Sequence, residues 1–156
     1  MQPYMKKPHN QKIAEALGGV LADTFVLYFR AHAFHWNVEG RDFLEFHEFF
    51  GEQYEDLWKV TDDLAERIRA LDVYAPVNLA AILKTASLKE EKSLPDARGM
   101  LTSLLQGHES LIDSLHACVE IAQKGGDEGT ADLCIGRIQE HEKTAWMIRS
   151  FLKGSK

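Results

Sequence analysis

Two histidines and two carboxylates in the first half of this chain have the types and spacing of a metal site that one chain cannot close. His35, followed by Trp36, falls near the end of one predicted helix, and His47 falls near the start of the next. Asp62 and Glu66 lie further along that second helix at positions i and i+4, which puts both carboxylates on one helix face. Two imidazoles and two carboxylates suit ferrous iron, which accepts mixed nitrogen and oxygen donors. Only neutral imidazole binds, so such a site weakens as pH falls through the histidine range. His47 and Asp62 are fifteen residues apart, or about 22 Å along a straight helix. No single ion touches both. Either the two pairs are unrelated, or a second copy of the chain, running antiparallel, brings its Asp62 and Glu66 to these histidines. The competing reading treats each histidine as a hydrogen-bonded structural residue. It makes the carboxylates a solvated face, with Glu66 paired to Arg67 or Arg69.

The elements that must position these residues are helices. Ile13, Leu17, Val20, Leu21, Leu27, Tyr28, Ala31, Phe34 and Val38 recur at helical spacing and predict a first helix from Asn10 to Val38. Gly18-Gly19 lies inside it, where each glycine costs about 1 kcal/mol against alanine, so close packing or a kink is expected there. Gly40-Arg41 is a turn, and Asp42 with Glu45 reads as a capping box opening a second helix from Phe43 to Leu71. So short a turn makes the two helices antiparallel neighbours, with His35 and His47 at the same end. The connection from Asp72 to Ser93 is long for a compact domain, and Val77 to Lys84 is helical enough to fill part of it. Ser93 is the expected cap of a third long helix with Pro95 in its first turn. Gly125-Gly126 ends that helix, and Asp127 caps a fourth marked by Leu133, Ile138, Ala145, Ile148 and Phe151. No strand-like alternation competes. The expected fold is all-α: a four-helix bundle over residues 10–153, with a short helix in the long crossover between helices two and three. Residues 1–9 and 154–156 are expected to be tails.

The totals narrow the function. The chain has 156 residues, 45% of them hydrophobic and 27% charged, enough for one domain with a core. Its formal net charge of −6 argues against a broadly basic nucleic-acid-binding surface and suits attraction of cations. No apolar run is long enough to span a bilayer, and the first residues hold no apolar signal core. The two cysteines, Cys118 and Cys134, make neither a disulfide framework nor a zinc knuckle, and read as two small buried residues in a reducing, cytoplasmic setting.

Three segments together resemble the Dps family, the starvation-induced mini-ferritins. They are His35-Trp-Asn-Val-Glu-Gly-Arg-Asp-Phe, Phe46-His-Glu-Phe-Phe, and Asp62-Asp-Leu-Ala-Glu-Arg-Ile-Arg-Ala-Leu. The likeness extends to the last helix, His141-Glu-Lys-Thr-Ala-Trp-Met-Ile-Arg-Ser-Phe-Leu, and so covers nearly the whole chain. The resemblance implies a hollow homo-dodecamer with ferroxidase sites at its twofold interfaces. His35 and His47 would come from one subunit and Asp62 and Glu66 from its partner, with Trp36 beside the iron. Its role there is either to take up a stray oxidising equivalent or to pack as an aromatic at the interface. Such proteins oxidise Fe(II), with hydrogen peroxide in preference to oxygen, and store Fe(III) as mineral. That chemistry spares DNA from oxidative damage. Zinc in place of iron is the alternative metal. The pattern differs from ordinary ferritins, which build a di-iron site within one bundle from glutamates and Glu-x-x-His pairs. This chain has no Glu-x-x-His, and Asp113-Ser-Leu-His116 is its nearest approach.

The chain departs from the family at one position. Many members carry an aspartate four residues after the second histidine, where this chain has Gly51. The missing oxygen predicts a weaker second iron position. Glu48 and Glu52, with Glu55 and Asp56, form a carboxylate stripe expected either to nucleate mineral or to be a plain solvated face. Asp127, Glu128 and Asp132 cluster where the family's threefold pores lie, and would draw iron inward there. Their ordinary role is to cap a helix and offset its positive end. Lys6, Lys7, Lys12, Lys153 and Lys156 are few for direct DNA binding, which is salt-sensitive and needs many phosphate contacts. The rival function is a nucleoid-binding structural protein on the same fold, with its iron site degraded at Gly51.

Overall fold

The computed structural model describes residues 8–154. Five helices follow in order: α1 (Asn10–Asn37), α2 (Phe43–Ala70), α3 (Leu79–Thr85), α4 (Ala97–Lys124) and α5 (Glu128–Lys153). No strand is present among the described residues, and none of the helices is long and apolar enough to cross a membrane. Lys6, Lys7 and Lys156 lie outside the described residues, as do most of the two expected tails.

The four long helices pair as two antiparallel hairpins, α1 with α2 and α4 with α5. A Cβ on Gly125 would meet Ile13, and one on Gly107 would lie 2.4 Å from Leu27 Cδ1, so α1 also runs antiparallel to α4. A side chain at 107 would force the buried Leu27 to shift, so glycine marks where the two helices approach closely. α2 and α4 are therefore parallel, and the chain between them must return along the length of the bundle. That requirement is why the crossover is long. Two buried charged residues of α1 hold it down. Asp23 accepts from Ser87 Oγ (2.6 Å) and the Leu88 amide (2.8 Å), and Arg30 donates to the Lys89 carbonyl (2.7 Å) and, on α4, to that of Ser103 (3.0 Å). α3 packs on α1 through Ile82.

Ile13, Leu17, Leu27, Phe34, Phe50, Leu57, Leu64, Leu101, Leu104, Leu111 and Leu115 fill the core. Several local expectations need correction. Asp42 stands at the α2 N-cap but makes no side-chain cap hydrogen bond, so the capping box does not form. α4 begins at Ala97 rather than near Ser93, because Asp96 is the cap and accepts from the Gly99 amide at 2.7 Å. Pro95 thus precedes the helix. α3 starts two residues later than expected, at Leu79, where Asn78 accepts from the Ala81 amide. α1 runs unbroken through Gly18-Gly19, and a Cβ at either would meet nothing within 4 Å. Asp127 caps α5 as expected, after Gly126 takes φ +69° to end the preceding turn.

Candidate metal centre

The turn Val38–Asp42 is tight because Gly40 adopts φ +111°, a conformation that disfavours side chains. It sets the last turn of α1 against the first turns of α2. His35 and His47 then stack face to face, with ring centroids 3.8 Å apart and planes 17° from parallel. Their hydrogen bonds are reciprocal. His35 Nδ1 bonds the His47 carbonyl at 2.7 Å, and His47 Nδ1 bonds the His35 carbonyl at 2.8 Å. A carbonyl only accepts, so each Nδ1 carries the proton. In a neutral imidazole that leaves the Nε2 lone pair of both rings for a metal. Backbone-fixed tautomers of this kind are the usual support of metal-binding histidines.

Gly51 is part of this arrangement. A Cβ there would lie 3.3 Å from both Cε1 and Nδ1 of His35. The missing side chain lets the His35 ring rest against the α2 backbone. Phe43 stacks on His47 at 5.1 Å.

Sequence reasoning missed His32. Its Nδ1 lies 3.0 Å from the Tyr28 hydroxyl, and its ring stacks on Tyr54 at 3.8 Å and 10° and packs against Trp36 at 4.2 Å. Partial burial and the neighbouring His35 both hold its pKa below the ordinary histidine value. Tyr28, His32 and Trp36 are spaced i, i+4, i+8 on one face of α1, a signal legible in the sequence but weak alone.

Asp62 and Glu66 are exposed on α2, and among the described residues neither enters an ion pair or side-chain hydrogen bond. The arginines that could have held Glu66 are engaged elsewhere. Arg67 pairs with Asp127 at 2.6 Å and Thr130 at 2.9 Å, while Arg69 donates to the Val73 carbonyl and covers the Tyr74 ring. His47, Gly51, Trp58 and Asp62 are four, seven and four residues apart, so they form one stripe along α2. Large aromatics lie exposed on this side of the hairpin: Phe29 (50%), Trp36 (58%) and Trp58 (56%). A patch of that kind on a single chain marks an interaction surface. No three metal-ligating side chains converge among the described residues of one chain.

The remaining acidic candidates divide. Glu48, Glu52 and Glu55 are exposed, but Asp56 is tied to Arg137 by hydrogen bonds of 2.8 and 3.3 Å. Glu128 and Asp132 are exposed, whereas Asp127 is buried with both carboxylate oxygens engaged. Burial by itself raises the Asp127 carboxyl. The hydroxyl and amide of Thr130 and the Arg67 guanidinium outweigh burial and hold it below the ordinary aspartate range. Cys118 and Cys134 are free and buried.

Residues 14–155 match the model of the ferritin-like domain. A low temperature-induced protein of Nostoc sp. is 39% identical over 92% of this chain and 82% of its own length. DNA protection during starvation protein 2 of Bacillus anthracis is 36% identical over 92% of this chain and 98% of its own. Among solved structures, the Dps protein of Vibrio cholerae, described as one of the ferritin-like diiron-carboxylate proteins, superposes with a TM-score of 0.89. It is 37% identical, covering 92% of this chain and 91% of its own. The bundle, its long crossover and these matches define a ferritin-like protein. Within that class, the chain belongs to the Dps family.

Proposed function

We propose that this protein oxidises Fe(II) at sites shared between two subunits and stores the Fe(III) product as mineral inside a homo-dodecamer. The observation that carries the reading is the reciprocal His35–His47 lock, which leaves two Nε2 atoms open at one end of a surface stripe. Asp62 and Glu66, unpaired, stand at the other end. A twofold axis near Tyr54 and Glu55, midway between His47 and Asp62, would bring each end of the stripe to the opposite end of its copy. The exposed Trp36 and Trp58 would be covered in the same step.

Iron is the substrate. His35 and His47 would hold Fe(II) through Nε2, and Asp62 and Glu66 of the second copy would supply hard oxygen donors that offset the charge of the ferric product. Two Fe(II) ions give one electron each to hydrogen peroxide, which with two protons becomes water. Oxygen is the slower alternative oxidant. Trp36, beside the histidines, would take up a stray oxidising equivalent. Zn(II) would compete for the same donors. Glu48 and Glu52 are proposed to nucleate mineral. Glu128 and Asp132 would draw iron inward, with Asp127 holding the helix start that presents them. Removal of both Fe(II) and peroxide protects DNA in the cytoplasm without contact. Lys12 and Lys153, exposed at the first turn of α1 and the last turn of α5, are few for direct binding.

The test is anaerobic Fe(II) loading of the assembled protein, then peroxide or air in parallel. The control is Asp62→Ala/Glu66→Ala. Fast ferric absorbance with soluble product, lost in the variant, is expected. A wild-type rate no better than buffer would overturn the ferroxidase reading and favour the rival of a nucleoid-binding structural protein.

A further inference from the structure

A second histidine pair lies buried between α4 and α5, apart from the two helices that carry His35, His47, Asp62 and Glu66. His108 of α4 and His141 of α5 meet Nδ1 to Nδ1 at 2.8 Å, and they are 2% and 1% exposed. One ring must donate and the other accept, so the contact requires at least one Nδ1 without a proton. Charged groups face the pair from three helices: Arg30 of α1, Asp56 of α2, and Arg137 of α5 itself, which Asp56 holds. Arg30 is paired at 3.5 Å with Glu91 of the crossover. His108 Nε2 and Arg137 Nε are buried without a hydrogen-bond partner among the described residues.

We infer that the His108–His141 pair is an acid-sensitive latch across the α4–α5 seam, closed while both rings are neutral and forced open when they take up protons. The first proton leaves the Nδ1 contact intact but adds a buried cation beside two guanidinium groups. The second removes the only acceptor, so the contact itself breaks. The bundle resists both. Burial first, then Arg137 and Arg30, lower the His108 pKa to about 3 against the opposing pull of Asp56, and burial, His108 and Arg137 push His141 well below its ordinary value.

The sign follows from linkage. Both folded-state pKa values are depressed, so above the ordinary histidine value of about 6.5 the pair costs nothing in protons. Below it the unfolded chain takes up two protons that the bundle refuses. The folding equilibrium constant then falls by about a hundredfold per pH unit until the folded pair titrates.

The test uses the assembled full chain and compares wild type with His108→Leu/His141→Leu, which removes donor and acceptor together. Urea unfolding is followed from pH 6.5 to 4.5 at fixed protein concentration. Wild type should lose stability about a hundredfold per pH unit more steeply than the variant. Equal slopes would overturn the latch. If the double variant does not fold, His108→Gln and His141→Gln should each flatten the slope by about tenfold per unit. No flattening in either is equally decisive against it. His9→Gln/His116→Gln, on exposed histidines, is the control, and flattening there to the same degree would also refute the assignment.

Discussion

The molecule contains the same side-chain pair twice, and the two copies do opposite things. His35 and His47 join α1 to α2, and His108 and His141 join α4 to α5. Each pair bridges two antiparallel helices within hydrogen-bonding range. In the first pair both Nδ1 protons go to main-chain carbonyls, which frees both Nε2 atoms at a half-exposed surface. In the second the rings bind each other in a dry core. An imidazole's role is thus set by where its Nδ1 proton goes and whether water reaches the other nitrogen. The surface pair can spend its lone pairs on a metal and owes little to the core. The buried pair can accept nothing without loosening the bundle.

The largest expected effect breaks the first pair. His35→Ala removes a donor nitrogen and deprives His47 of its stacking partner. Zn(II) affinity, measured anaerobically by calorimetry on the assembled protein, should fall by at least about a hundredfold, since loss of a mere supporting group costs 10–100-fold. Urea midpoints at pH 7 and at pH 5 should move together, leaving the acid slope unchanged. A steep change in acid slope with little loss of metal would invert the comparison.

The second effect concerns stoichiometry. Gly51 leaves no oxygen four residues beyond His47, so crystals soaked in Zn(II) or Fe(II) should show one strong metal per shared site and a second, weaker one. Two fully occupied positions would show that another donor replaces the absent carboxylate, and His32, beside Trp36 and Tyr54, would be the first residue to inspect.

The third contrasts both pairs with a charge pair of the same bundle. Arg67 and Asp127 link α2 to the start of α5, and the Asp127 pKa is lowered. Its contribution is present above the ordinary aspartate value of about 3.9 and is lost as pH falls further. Asp127→Ala should cost about 1–3 kcal/mol at pH 7 by urea unfolding, through the lost cap and the guanidinium left without its carboxylate. The cost should persist at pH 5, where the histidine latch is already losing stability. A cost that vanishes by pH 5 would mean that Asp127 titrates with the histidines and that the two acid responses are not separable.

Helical periodicity placed the four long helices, with only the start of α4 set too early, because each buries one continuous stripe. That His47 and Asp62 of one chain cannot hold the same ion was also legible, since fifteen residues of helix is a length and a length excludes a single ion. Contacts between distant segments were not. His108 and His141 lie thirty-three residues apart, and nothing in their local pattern marks them as partners. The reciprocal lock of His35 and His47 depends on ring orientations that spacing does not encode. Gly18-Gly19 suggested close packing that is absent, while Gly107, unremarked by any motif, is where α1 approaches α4. A glycine's meaning lies in what faces it. At the start of α4, Ser93-x-Pro95 resembled a cap, but the Asp96 carboxylate reaches the Gly99 amide and wins.

The smallest expected effect isolates that facing surface at the surface histidine pair. Gly51→Ala adds one methyl group inside α2, where alanine favours a helix over glycine by about 1 kcal/mol. The methyl carbon would sit 3.3 Å from two atoms of the His35 ring, closer than comfortable contact. His35 cannot give way freely, because its Nδ1 is held at 2.7 Å by the His47 carbonyl and its face rests on the His47 ring. The strain should therefore fall on the lock rather than on the bundle. Unfolding at pH 7 should stay within about 0.5 kcal/mol of wild type, the helix gain and the local displacement nearly cancelling. Zn(II) affinity should drop severalfold, short of the loss in His35→Ala, and the acid slope should not change. Affinity unchanged with a full stability gain would mean that the His35 ring has room to move and that the carbonyl lock does not fix the donor atoms. Affinity and stability falling together would mean that the surface pair, like the buried one, is part of what holds the bundle closed.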